Sequence, residues 1–108
     1  MAKLHSDLVQ KSIKYLNSLP KSNFFPYSPG PYGRRAVSDI VGCYRSRFVA
    51  VEIKIGKDTL SSLQKRFIRK AQEADGFGRA CWSIEEVRQF VKDINTKLEP
   101  TTAFRLST

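Results

Sequence analysis

The sequence predicts an α/β domain in which a mixed β-sheet lies between helices. Three observations lead there. The apolar patterning runs helix, strand, strand, strand, helix, strand, helix, so a meander of three strands is followed by a helical crossover. The run Val49 to Ile55 is dominated by β-branched residues and holds neither Gly nor Pro, as a strand buried on at least one face requires. Finally, 108 residues make one domain with a modest core, and 41% hydrophobic content is that of a globular chain. The domain is expected over residues 1–99, with 100–108 as a tail.

Taken in order, Leu4 to Leu19 reads as a first helix. Leu8, Ser12, Tyr15, Leu16 and Leu19 mark its inner face, with Ile13 beside it, and Pro20 ends it. Asn23 to Tyr27 predicts a first strand, whose Pro26 points to an edge or a strand end. Ser28 to Arg35 holds Pro29, Gly30, Pro31 and Gly33 and is a loop. Strands are expected at about 37–42 and 47–55, joined by Cys43 to Ser46 as a hairpin. Ser61 caps a helix running to about Ala74, with Leu60, Leu63, Phe67 and Ala71 as its apolar stripe and Ile68 and Ala74 flanking. Gly76 and Gly78 then break it, and Arg79 to Trp82 forms the next strand. Ser83 and Glu86 read as a capping box for a last helix with Ile84, Val87, Phe90, Val91 and Ile94 inward. Phe90 and Ile94, or Phe104 and Leu106 in the tail, serve either the monomer core or a contact with a second copy.

Chemistry concentrates on the third strand. Alternation puts Val49, Val51, Ile53 and Ile55 on one face and Glu52 with Lys54 on the other, roughly 6.5 Å apart. Alone, Glu-x-Lys describes a solvated sheet face. A hairpin loop of Tyr44-Arg45, or of all four connecting residues, sets Asp39 opposite Ala50. Glu52 is then its diagonal neighbour at roughly 7–8 Å. Two carboxylates and a lysine at that spacing suit a hard divalent ion with a phosphate bound to it.

The net charge is +9, and residues 85–108 contribute nothing to it, because Glu85, Glu86, Asp93 and Glu99 balance Arg88, Lys92, Lys97 and Arg105. Such a basic domain, with Asp39 and Glu52 among its few acids, is expected to grip a polyanion by its phosphates. Tyr27, Tyr32, Arg34 and Arg35 interleave aromatic and basic groups just before the Asp39 strand, as a backbone grip, a base-stacking loop or an ordinary surface loop does. Together with Lys57 and Lys65, Tyr32, Arg34 and Arg35 are the candidate nucleic-acid contacts. No apolar run reaches the ~20 residues of a membrane span. The polar start, Met1 to Ser6, is unlike a signal peptide, and Cys43 and Cys81 lack zinc-type spacing, so a cytoplasmic protein with two free thiols is expected.

Ser38-Asp39, a dozen intervening residues and then Glu52-Ile53-Lys54 resemble the PD-(D/E)XK nuclease superfamily. The lead-in Pro31-Tyr32-Gly33-Arg34-Arg35, the later Leu60-Ser61-Ser62-Leu63-Gln64 and Gly76 resemble its VRR-NUC family in particular. Ser38 stands where the motif has proline. The resemblance implies a three-layer αβα sandwich of the restriction endonuclease-like kind and metal-dependent DNA endonuclease activity. It implies Mg²⁺ or Mn²⁺ on Asp39, Glu52 and the Ile53 carbonyl, with Lys54 and Gln64 as further catalytic residues. Gln64 has a second, structural reading, since Ser61-x-x-Gln64 is also a capping box. The family's first helix often supplies another acid; His5 takes that place here, with Asp7 close by, and His5 either reaches the site or is simply exposed. Stand-alone members resemble Holliday junction resolvases, which implies four-way or branched DNA as substrate and a two-fold homodimer. The alternatives are a general endonuclease, a non-catalytic basic nucleic-acid-binding module and a ribosomal-type RNA-binding protein.

Overall fold

The computed structural model describes residues 2–31 and 33–99. Tyr32 and the tail with Phe104 and Leu106 lie outside the described residues. The elements are α1 (Ala2–Asn17), β1 (Ser22–Pro26), β2 (Ile40–Tyr44), β3 (Arg47–Ile53), α2 (Ser62–Glu73), β4 (Phe77–Cys81) and α3 (Ile84–Leu98). They form a small α/β domain: three helices flank a four-stranded mixed sheet of order β1-β2-β3-β4, not closed into a barrel. β1 pairs antiparallel with β2 and β2 with β3, and α2 carries the chain over to β4, which pairs parallel to β3.

The main core lies where α1 and α3 pack on one sheet face. Val49, Val51 and Ile53 point into it, with Phe24, Ile40, Tyr44 and Cys81 from the other strands. Leu16 and the five apolar residues expected of α3 meet them. Phe90 and Ile94 are 3% and 1% exposed, so they finish the monomer core and are not an interface. Burial pushes the Cys81 thiol up to about 12, with the Glu86 charge adding to it. Cys43 is exposed. No described helix is long and apolar enough to cross a membrane.

Several expectations need correction. The hairpin loop is Arg45-Ser46, because the β2–β3 register pairs Tyr44 with Arg47 and Val41 with Ala50. Continued by two residues, that register sets Asp39 opposite Glu52 rather than opposite Ala50. The cause is Tyr44. Its ring is buried and its hydroxyl donates to Asn95 Oδ1 at 2.8 Å, so it belongs to the strand and the turn moves on by one residue. Arg45 and Ser46 take positive φ of 52° and 72°, the pattern of a type I′ turn, whose twist matches the strands it joins. β2 begins at Ile40 and β3 ends at Ile53, each shorter than expected. β4 begins at Phe77, so Gly78 lies inside a strand, where it leaves space for the Ile68 side chain of α2. α2 ends at Glu73 with Ala74 as cap, and Asp75, at φ 66°, turns the chain.

α2 covers the second sheet face only over β3 and β4. Its buried stripe is Ile68 and Ala71, and Leu63 is 60% exposed. One step back along that stripe is Gln64, so a polar residue occupies a place the apolar pattern assigned to leucine. Beyond α2 this face is partly open, with Phe25 of β1 and Phe48 of β3 52% and 45% exposed.

β1 is tied down at both sides. Asn17, the last residue of α1, donates through Nδ2 to Phe24 O at 2.9 Å and accepts from Phe24 N at 2.7 Å. On the other side Phe24 pairs with Gly42, across which its ring lies. A Cβ on Gly42 would strike the Asn23 carbonyl and come within 2.7 Å of Phe24 Cα. Gly42→Ala is therefore expected to cost roughly 1–3 kcal/mol, as overpacking does, because main chain rather than a flexible side-chain tip must move. Thermal unfolding followed by circular dichroism should fall by several degrees or more.

Candidate active site

The site forms where the β2–β3 ladder ends. Lys54 N–H donates to Cys81 O at 2.9 Å, so alternate residues of β3 face β4 while Ile53 faces back towards β2. β2 offers Ile53 no main-chain partner at this level, and side chains take over. The Asp39 carboxylate accepts the Ile53 N–H at 2.9 Å, and His5 Nε2 lies 3.2 Å from Ile53 O. In return Asp39 N–H donates to Glu52 Oε1 at 3.1 Å. Asp39 O accepts Tyr27 N–H at 2.8 Å, which fixes Asp39 to β1 as well.

Glu52 lies on the α2 side of the sheet and is 4% exposed. Its carboxyl is held above the usual glutamate range, first by burial and then by the charge of Asp39; the Asp39 N–H and Lys54 oppose the shift. Lys54 Nζ is 3.6 Å from Glu52 Oε2, and its side chain is 13% exposed. The sheet alternation thus delivers the acid–acid–lysine cluster that the sequence predicts, with the acids directly opposite rather than diagonal.

Gln64 makes two sets of contacts at once, the helix cap and a bridge between Lys54 and Glu52. Its Oε1 accepts from Ser61 N–H at 2.9 Å and Lys54 Nζ at 3.0 Å, while Nε2 donates to Glu52 Oε2 at 2.7 Å. Ser61 Oγ accepts Gln64 N–H in turn, completing the capping box. A carboxamide has an acceptor end with two lone pairs and a separate donor end, so one side chain can cap a helix and join an acid to a lysine. The capping box expected at α3 is only half made: Ser83 accepts from Glu86 N–H, but the Glu86 carboxylate turns to Trp82 N–H.

His5 reaches the site from the first turns of α1. Its Nε2 is 3.1 Å from Asp39 Oδ2 and 3.2 Å from Ile53 O. Both partners are acceptors, which assigns the proton to Nε2. An N–H thus stands between the Asp39 carboxylate and the Ile53 carbonyl. Asp7 makes no contact with this cluster among the described residues. Among those residues no three His, Cys, Asp or Glu side chains close into a metal cage by themselves. What converges is two carboxylates and one carbonyl, oxygen donors of the kind hard divalent ions take, with a lysine beside them.

The basic candidates are more dispersed. Lys57, in the turn after β3, and Lys65, on α2, are exposed and bond to none of the site groups. Arg34 and Arg35 are exposed too, and the Tyr27 hydroxyl holds their loop by donating to Arg34 O at 2.9 Å. Ala36, at φ 61°, carries left-handed strain of roughly 1–2 kcal/mol just before Ser38 and Asp39. Sequence reasoning missed the grouping of Arg34 and Arg35 with Arg66 and Lys70 of α2 around one hollow. The available signal was the four-residue spacing of Arg66 and Lys70, which puts them on one flank of the helix.

Two stability measurements check this geometry. Gln64→Ala removes half of the α2 cap and is expected to cost about 1 kcal/mol in thermal melts. For Glu52, a raised folded-state pKa means that its contribution to stability is complete below the ordinary glutamate value and is lost as pH rises through the raised one. Glu52→Gln cannot ionise, so in EDTA its melting temperature minus that of the parent should grow from about pH 4 to about pH 8. A flat difference would show that Glu52 carries no burial penalty.

No protein-family model matches this chain, and no curated protein is significantly similar to it.

Proposed function

We propose that this protein is a metal-dependent DNA endonuclease of the PD-(D/E)XK kind, resembling the VRR-NUC family, with its helices and sheet forming the αβα core of that superfamily. One observation carries the proposal: Asp39 and Glu52, on adjacent strands, meet Lys54 and Gln64 at the mouth of a strongly basic domain.

The donor set fits Mg²⁺ or Mn²⁺. Every candidate ligand among Asp39, Glu52 and the Ile53 carbonyl is an oxygen, and Glu52, buried beside the Asp39 charge, has its pKa raised. When bound, such an ion supplies Lewis-acid polarisation of the scissile phosphate and a more acidic water. The chain's own residues do the rest. Asp39 and Glu52, each bonded to the other's strand, would hold the ion and so set where the phosphate lies. Lys54 brings an ammonium against the attacked phosphate and neutralises charge as it develops. Gln64 keeps Lys54 and Glu52 in place together. His5 must turn aside, or give up the Nε2 proton and present the nitrogen, before the Asp39 and Ile53 oxygens can be shared with a cation. Arg34, Arg35, Lys57 and Lys65 grip backbone phosphates around the scissile one.

The proposal extends to branched DNA and to a two-fold homodimer, since symmetric nicking of a junction needs two sites. Among the described residues, the partly open sheet face around Phe25 and Phe48 offers apolar surface for such a contact.

Labelled four-way junction, flap, linear duplex and single strand, incubated with Mg²⁺ or Mn²⁺, test the reading. Cleavage is expected, and EDTA should stop it. Asp39→Asn and Glu52→Gln should abolish it with DNA binding retained. Lys54→Ala should lower turnover by about 10²-fold, the scale of one preorganised charge stabiliser. Near-parental cleavage by either acid variant would remove the site assignment. Equal cutting of all substrates by a protein that light scattering shows to be monomeric would leave a general endonuclease.

A further inference from the structure

Beside the proposed active site, the loop before Asp39 and the flank of α2 enclose a hollow of about 240 Å³. Its walls carry four cations, Arg34, Arg35, Arg66 and Lys70, and its floor is Leu63 and Phe67. Leu63 is 60% exposed. Phe67 is half-buried; its ring meets Phe48 edge-on at 6.4 Å between centroids, and the Arg34 guanidinium carbon lies 5.5 Å from its centroid. The hollow shares both of its walls with the site. Leu63 precedes Gln64, and the strained Ala36 lies three residues before Asp39.

The combination is selective. A surface that holds only phosphate has no use for an exposed leucine and an aromatic face between its cations. An apolar docking groove has no use for four positive charges. A single nucleotide has both parts, a flat π-face and an anionic link on each side. The duplex interior offers no such face, because its bases are stacked on one another. A base lying on Phe67 must therefore have left its stack.

We propose that this hollow takes one unstacked nucleotide of the substrate strand next to the scissile phosphate. The Arg34 guanidinium now lies over the Phe67 ring, so an entering base takes its place there, and the displaced Arg34 joins Arg35, Arg66 and Lys70 on the flanking phosphates. This rests on the nucleic-acid reading above and names its substrate class: DNA that is single-stranded, flapped or distorted beside the cut.

The test needs no cleavage. A single-stranded oligonucleotide containing 2-aminopurine and its matched duplex are titrated in EDTA, with binding followed by anisotropy and stacking by 2-aminopurine quenching. Phe67→Leu, which keeps an apolar contact for Phe48, should weaken single-strand binding roughly tenfold or more, as loss of one stacked base does. It should also remove the quenching and leave duplex binding within about twofold of the parent, at an unchanged salt slope. Phe67→Tyr should restore both signals. Arg66→Ala should weaken both DNAs and lower the salt slope by about one. Unchanged single-strand binding and quenching in Phe67→Leu, in a protein with a parental circular dichroism melt, would overturn the inference whether or not the protein cuts DNA. A protein that shows the Phe67 effect but never cuts with Mg²⁺ or Mn²⁺ keeps the nucleotide site and loses only the nuclease assignment.

Discussion

Where the β2–β3 ladder stops, two carboxylates take over the work of main-chain groups. Asp39 accepts the N–H of Ile53, and Glu52 accepts the N–H of Asp39. Two like charges would otherwise separate; here each is held to the other's strand by a charge-assisted bond. Much else depends on this lacing. It sets the height at which Lys54 leaves the sheet, and so the point at which Gln64 must arrive from α2. It also leaves Ile53 O facing His5, which links the first helix to the fourth element in the chain. Segments from both sheet faces and from neighbouring strands meet here through side-chain and main-chain bonds, so the geometry of the cluster is a property of the fold rather than of a flexible loop.

The cluster works against stability. Glu52 is buried beside a second acid, and neither the Lys54 ammonium nor the Asp39 N–H fully offsets that. In a chain with net charge +9, that acid sits where the cation and phosphate of the proposed reaction would meet it. Functional groups held ready in this way commonly reduce the stability of the unliganded protein.

Much of this was legible in the residues. Strict alternation along Val49 to Ile53 separates the core face from the Glu52 face, and the five apolar positions of α3 from Ile84 to Ile94 share a helical stripe, although only packing decides that Phe90 and Ile94 belong to the core. The register was not legible. Tyr44-Arg45-Ser46 carries no Asn-Gly or Asp-Gly signal, and what decides the turn is a bond from Tyr44 to Asn95, far along the chain. The α2 stripe was misplaced for a related reason. Counting hydrophobicity favours Leu63 over Gln64, yet a buried acid and a lysine across the gap make the polar residue the better inward partner. His5 could be placed only by contact, since one histidine near a terminus has no periodicity to be read from.

The Asn17 clasp on Phe24 has a consequence for how the sheet meets its surroundings. Tyr27 N–H bonds to Asp39 O, so Asn23 and Phe25 face β2, while Ser22, Phe24 and Pro26 turn their main chain outward. Of these, Phe24 has both groups occupied by the Asn17 carboxamide, and Pro26 has no N–H to give. The β1 margin therefore offers an incoming strand almost nothing to zip onto, although a partly open apolar sheet face lies directly beside it. A protein with this surface can be sticky without being fibrillogenic along that margin: contacts there must be made by side chains against side chains, not by adding backbone to backbone.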